Sequence, residues 1–288
     1  MMPPEKGGER MRVVCLVENT PGKESCAPAH GLSLYVETAR HRLLMDTGPS
    51  DLLIGNAHAA GVDLKTVDIA VISHGHYDHA GGLPAFAALN PSAAVYLRAG
   101  ADGDFYSGRE ADGSIHYIGV PPAVRALPRA VWVRENVLEI DGELTLFGGV
   151  SGRKYWPQAN RLLSRRVDGR FVQDDFSHEQ CLLVREGKKT ALFSGCAHNG
   201  VLNILDRCLE ITGKAPDAVI SGFHMMKKTG EYTPEEWAVI DDTARQLQKW
   251  PTVFYTCHCT GLPAYERMRK ILGDQVKYLS CGAEITLL

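Results

Sequence analysis

The chain has 288 residues and a mass of 31.5 kDa, long for one average domain yet within reach of a single large α/β or sandwich domain. Its 31 Lys and Arg stand against 34 Asp and Glu, and a net charge of -3 gives no electrostatic drive toward nucleic acid or an anionic membrane. Eight cysteines without a C-x-x-C pair predict free thiols in a reducing compartment, and no apolar run approaches the ~20 residues of a membrane helix, so a soluble, cytoplasmic protein is expected.

Residues 1–10 are polar, carry Pro3-Pro4 and Gly7-Gly8, and are expected to be a flexible N-terminus rather than a leader or anchor. Residues 11–288 then form one domain. Short apolar runs at 13–17, 32–36 and 43–45 predict three strands, the third closed by Asp46-Thr47-Gly48. Helical spacing over 51–60 ends at Gly61, and a strand at 69–72 precedes a buried helix at 83–89. From about 101 to 175 the pattern loosens around Gly103, Gly108, Pro121-Pro122 and Gly148-Gly149, which predicts a hairpin-containing insertion or lid. Strands follow at 181–184, 191–193, 218–220, 253–255 and 276–279, with helices at 200–211, 234–249 and 264–272. This order suits two packed sheets with helices outside. There is also a faint echo: residues 68–74 and 217–224 each read as a strand that delivers a histidine at its carboxyl end.

Chemistry concentrates in Ser73-His74-Gly75-His76-Tyr77-Asp78-His79, three imidazoles and a carboxylate directly after an apolar strand. These are the ligands that zinc, manganese and iron prefer. In an extended segment His74 and His76 point the same way, and Gly75 leaves room between them. Asp78 and His79 follow on the next turn, where they would serve a second ion. Further ligands must come from distant positions, and His198, His224 and His258 each end an apolar strand. His178, just before a strand, is a secondary candidate. His30, His41, His58 and His116 have loop contexts, with His30 the best placed of the four. Cys196 could ligate or bridge a metal, or pack as a small buried thiol. Strand alternation aims Cys257 and Cys259 away from His258, as packed thiols.

The segments Leu44-Met45-Asp46-Thr47-Gly48 and His74-Gly75-His76-Tyr77-Asp78-His79 together resemble the metallo-β-lactamase superfamily, whose signature is H-x-H-x-D-H after a strand. That resemblance implies an α/β fold, an αβ/βα sandwich of two mixed sheets with helices on the outer faces, and a one- or two-metal site between the sheet edges. It also implies that Asp46 supports the ligand loop. Ala29-His30-Gly31-Leu32-Ser33, Gly195-Cys196-Ala197-His198-Asn199-Gly200, Gly222-Phe223-His224 and His258-Cys259-Thr260-Gly261 are similar to the branch of dihydropterin ribofuranosylaminobenzene 5'-phosphate synthases, over about residues 12–282. On this basis His198 stands in for the third histidine of the hydrolases, whose T-P-G-H-T-like loop is absent. Cys196 falls where many relatives carry a bridging aspartate, and His178 where the branch usually carries an acid.

The resemblance implies one or two divalent ions, zinc foremost, with manganese, iron or magnesium as alternatives. His74, His76 and His198 would hold one, and Asp78, His79 and His258 the other. Asp78 and His224 are the candidate catalytic residues; His30, Arg153, Tyr155 and His224 are the candidate substrate contacts, with Trp156 and Arg161 beside them. The branch chemistry would join a pterin-methyl centre to an aminobenzene partner with release of pyrophosphate. A metallohydrolase of a small phosphorylated or acyl substrate is the alternative, and a non-catalytic metal or ligand sensor a third reading. The expected partner is a small phosphorylated or pterin-like molecule, with no nucleic acid and no membrane, and no oligomer is specified.

Overall fold

A computed structural model describes residues 10–108, 114–227 and 229–287, so almost all of the tail expected at 1–10 lies outside the described residues. The first sheet holds seven strands: β1 (Met11–Val17), β2 (Ser33–Glu37), β3 (Arg42–Met45), β4 (Ile69–Ile72), β5 (Ala94–Arg98), β8 (Ala130–Val133) and β18 (Glu284–Leu287). Their order is β18-β1-β2-β3-β4-β5-β8, antiparallel as far as β3 and parallel beyond it. The second sheet repeats the plan with β9 (Val137–Glu139), β10 (Leu144–Phe147), β13 (Cys181–Glu186), β14 (Lys189–Ser194), β15 (Ala218–Ser221), β16 (Val253–Thr256) and β17 (Val276–Tyr278). Here β9 to β14 are antiparallel neighbours and β14 to β17 parallel ones.

Alternation along these strands sends one set of side chains between the sheets and the other outward. Val13, Leu34, Val36, Leu43 and Val71 meet Leu146, Leu182, Val184, Phe193 and Ile220 in the inter-sheet core. On the outer face of the first sheet, Leu44, Ala70 and Ile72 pack under α1 (Leu52–Ala60) and α3 (Leu83–Leu89) through Leu53, Leu83 and Phe86. The second sheet is covered by α5 (Val201–Thr212), α6 (Pro234–Leu247) and α7 (Leu262–Leu272), through Leu205, Ile240, Leu247 and Met268. The result is the expected helix–sheet–sheet–helix sandwich. Two one-turn helices, α2 (Tyr77–Ala80) and α4 (Pro122–Arg125), complete the set.

The internal echo has a structural counterpart. β4 and β15 are each the first strand to run parallel to the end of an antiparallel run, and the aspartate before each caps its neighbour in the same way. Asp68 accepts from the Arg42 backbone N–H at 3.1 Å, and Asp217 from that of Thr190 at 2.9 Å.

The segment expected as one insertion is divided. β8 extends the first sheet, while β9 and β10 form an edge of the second. The rest makes a small antiparallel sheet of β6 (Phe105–Gly108), β7 (Ile115–Tyr117), β11 (Leu163–Val167) and β12 (Arg170–Gln173), in the order β12-β11-β6-β7. Glycines and prolines broke the apolar runs into pieces too short to read as sheet strands, and partners distant in sequence supply the missing pairing. The local pattern does not mark β5 or β18 either. All eight cysteines are free, as expected, and all are buried. No helix among the described residues is long and apolar enough to cross a membrane.

Candidate metal centre

The candidate ligands converge where the parallel strands of both sheets reach their carboxyl ends, the usual place for a site in such sheets. Asp46 follows β3, and His74 and His76 follow β4. Asp78 and His79 stand on α2, which begins directly after His76. On the other sheet Cys196 and His198 follow β14, His224 follows β15 and His258 follows β16. Asp46, Ala197, His224 and His258 all adopt left-handed backbone (φ 60°, 54°, 50° and 47°), a conformation that non-glycine residues hold only where surrounding contacts impose it.

Two adjacent groups result. In the first, the donor atoms of His74, His76 and His198 all lie within 4.8 Å of one another, with the Nε2 atoms of His74 and His198 3.3 Å apart. In the second, His79 Nε2 is 3.3 Å from His258 Nε2, and Asp78 Oδ2 is 3.3 Å from His258 Nε2 and 3.9 Å from His79 Nε2. Cys196 Sγ joins them, 3.1 Å from His79 Nε2.

The outward nitrogens are tied down. His79 Nδ1 donates to Asp46 at 2.7 Å, and Asp46 also accepts from the Ser73 N–H and hydroxyl, both at 2.7 Å. His74 Nδ1 meets Ser73 Oγ at 2.9 Å, His198 Nδ1 meets Asn160 Oδ1 at 2.9 Å, and His258 Nδ1 meets Asn19 Oδ1 at 2.7 Å. His198 is also stacked on Phe176, with centroids 4.5 Å apart. Fixing Nδ1 from outside turns Nε2 inward as a donor, the way histidine ligands are usually oriented. Facing Nε2 atoms share at most one proton between two lone pairs, and His76 Nε2 is buried with no partner. A set of inward lone pairs left over in this way fits a bound cation.

In the first group protonation favours the same role. Burial, then neighbouring histidines, holds His74 and His198 well below the ordinary imidazole value, and burial first and His178 second bring His76 down to about 3. Neutral imidazole is the form that binds metal. At His79 burial acts downward, but Asp46 and Asp78 outweigh it and raise the pKa to about 9. Burial acts upward on Asp78, yet His79, His258 and His30 hold it well below the usual carboxylate range.

Two buried acids missing from the sequence reading shape the ligand loops. Glu179 accepts from the backbone N–H groups of His198 (2.6 Å) and Asn199 (3.0 Å), and Glu18 from that of His258 (2.6 Å) and the Tyr278 hydroxyl (2.7 Å). Each acid stands beside an apolar strand, but its partner lies far along the chain, so no local pattern marked its role.

Of the remaining candidates, His178 is held by the Gly75 N–H on one ring nitrogen (3.0 Å) and by Asp174 on the other (3.1 Å), so it supports the ligand loop. His30 is half exposed at the rim, 3.4 Å from Asp78. His224 is partly buried against His198 (centroids 4.2 Å apart), and neither of its ring nitrogens has a partner. Arg153 is exposed beside the site, reaching Asn199 at 3.4 Å and lying over Trp156, while Tyr155 is exposed on the same loop. His41 is elsewhere, bridging Asp68 and Asp141.

The reading of Cys257 and Cys259 needs correcting at one of the two. Cys257 packs in the inter-sheet core, but Cys259 has its donor within 4.8 Å of those of Cys196 and His258. Strand alternation does not apply there, because β16 ends at Thr256 and residues 258–260 form a tight helical turn. Cys196 is pushed up by burial and by Cys259. Burial also acts upward on Cys259, but Cys196 and the imidazoles of His224 and His258 outweigh it and pull that thiol down.

Residues 27–159 match the model of the metallo-beta-lactamase superfamily. An uncharacterised protein of Methanocaldococcus jannaschii, MJ0448, is 27% identical over 264 residues, covering 89% of this chain and 93% of that one. The same organism's 7,8-dihydropterin-6-methyl-4-(beta-D-ribofuranosyl)-aminobenzene-5'-phosphate synthase is 24% identical over 296 residues, 95% of this chain and 96% of that one. Among solved structures, Tm1679, described as a metal-dependent hydrolase of the beta-lactamase superfamily, aligns with a TM-score of 0.79 at 28% identity, over 96% of this chain and 98% of that one.

Proposed function

We propose, from the premise that this chain carries a metallo-β-lactamase superfamily domain, that it is a metal-dependent enzyme joining a pterin-methyl group to an aminobenzene partner with release of pyrophosphate. The observation that carries the metal-dependent reading is the double set of inward donors, His74, His76 and His198 beside Asp78, His79 and His258. Similarity to the synthase along nearly the whole of both chains supports the choice of reaction. These two groups would hold divalent ions, zinc foremost, which when bound would supply Lewis-acid stabilisation of negative charge on phosphate oxygens.

The chain's own residues have separable tasks. In the transfer, the nucleophile forms a bond to the methyl carbon, the bond from that carbon to the pyrophosphate oxygen breaks, and the nucleophile gives up one proton. His224, with both ring nitrogens unpartnered, accepts that proton. Asp78 holds His30 in place at the rim, beside the departing anion. The twelve-residue helix α5 starts two residues beyond Asn199, so its first backbone N–H groups lie beside the site and favour a phosphate there. Arg153 and Tyr155 on the neighbouring loop contact the substrate's phosphate and its planar ring.

Hydrolysis of a small phosphorylated or acyl substrate is the second reading, favoured by the likeness to Tm1679. The deciding assay measures pyrophosphate release and coupled product from a dihydropterin pyrophosphate plus the ribofuranosylaminobenzene phosphate, alongside hydrolysis of phosphodiester, thioester and lactam substrates. Coupled product is expected. Hydrolytic turnover without transfer would overturn the synthase reading in favour of the second.

A further inference from the structure

Cys259 is the one donor at this centre that neither strand pattern nor resemblance assigns. Its side chain is almost fully buried, and its contacts are weak: it accepts from the His224 N–H at 3.3 Å and donates to the Cys196 carbonyl at 3.6 Å. A Cβ at position 222 would overlap Cys259 Sγ, so Gly222 reserves the space that the sulfur fills. Cys196 Sγ lies 3.1 Å from His79 Nε2, which lies 3.3 Å from His258 Nε2, and the donors of Cys196, His258 and Cys259 are mutually within 4.8 Å.

We infer that Cys196 and Cys259 add two thiolates to the imidazoles of His79 and His258 at the second position, making it a site for a borderline-soft divalent cation of the zinc class. The inference rests on the metal-dependent reading above and deepens it at the second position. Two sulfurs and two imidazole nitrogens are a tetrahedral zinc donor set, and thiolates discriminate against magnesium and manganese, which prefer oxygen. Coordination forms two metal–sulfur bonds and releases the thiol protons to solvent.

X-ray absorption on the zinc-loaded wild-type protein tests this without any variant, and sulfur neighbours at about 2.3 Å are expected. In the cobalt-substituted protein, thiolate-to-cobalt charge-transfer absorption should fall by about half in Cys259→Ser and in Cys196→Ser and vanish in the double variant. Cys208→Ser, at a buried thiol on the inner face of α5, should leave it unchanged. A full charge-transfer band in Cys259→Ser, or zinc bound with no sulfur neighbour, would overturn the thiolate site while leaving a histidine-bound metal standing. Wild-type protein that takes up no divalent ion would overturn the metal-dependent reading itself, and this inference with it.

Discussion

Replacing Asp46 by Asn changes one atom of a fully buried side chain and tests how the ligand loop is held. Asp46 accepts three hydrogen bonds at 2.7 Å, from the Ser73 N–H, the Ser73 hydroxyl and His79 Nδ1. An amide has only one oxygen, and the Ser73 N–H can do nothing but donate, so that oxygen must stay on it. The new NH2 group then faces the Ser73 hydroxyl, which can turn round to accept, and His79 Nδ1, which must give up its proton. His79 is thereby forced into the tautomer that carries the proton on Nε2, the nitrogen turned toward Cys196 and His258. All three charge-assisted bonds become neutral ones, which costs about 2–3 kcal/mol of stability. Losing the outer support of a ligand histidine lowers metal affinity by roughly 10–100-fold. Urea unfolding of the chelated protein measures the first quantity, competition with a chromophoric chelator the second, and imidazole nitrogen NMR the tautomer. Stability within about 0.5 kcal/mol of wild type together with unchanged metal affinity would refute the reasoning.

Three further outcomes are expected. His76→Ala should lose both bound metal and activity, checked by elemental analysis of the folded variant; unchanged metal content would remove His76 from the ligand set. Gly195→Ala places a Cβ against the Ser73 hydroxyl and 3.0 Å from Asp46 Oδ2, and should cost about 1–3 kcal/mol in thermal or urea unfolding. His41 is pinned between Asp68 on the first sheet and Asp141 on the β9–β10 turn of the second; burial acts downward on it, but the two carboxylates outweigh this and raise its pKa. Its folded value lies above its unfolded one, so its contribution is complete below about pH 6.5 and fades as pH rises through the folded pKa. The stability gap between wild type and His41→Gln should therefore be wider at about pH 6 than at about pH 9, and a gap that widens with pH would contradict the assignment.

Much of the scaffold was legible because its strands are short apolar runs between glycine and proline, and its long helices bury one face. Legibility failed at β5 and β18, and in the stretch split among three sheets, where pairing with distant strands rather than local pattern makes the strand. At the site, the H-x-H-x-D-H segment and the strand-end histidines marked the donors. Glu18, Asn160 and Glu179 stayed hidden, since each acts on a residue far away in sequence. Cys259 was misjudged because a strand's alternation was extended past Thr256, where the chain has already turned with His258 at a φ of 47°.

By itself the sequence determined which side chains can donate and that each stands just beyond a strand, for both are local properties of residue type and spacing. Which donors meet was decided only by tertiary pairing. The parallel register aligns Ser194 with Ser221 and Ser221 with Thr256, so His198, His224 and His258 emerge four, three and two residues past one common level of the second sheet. Packing that sheet against the first then brings them onto His74, His76 and His79. Distances of 3–4 Å between residues more than a hundred positions apart depend on register and sheet packing, and no local pattern encodes them.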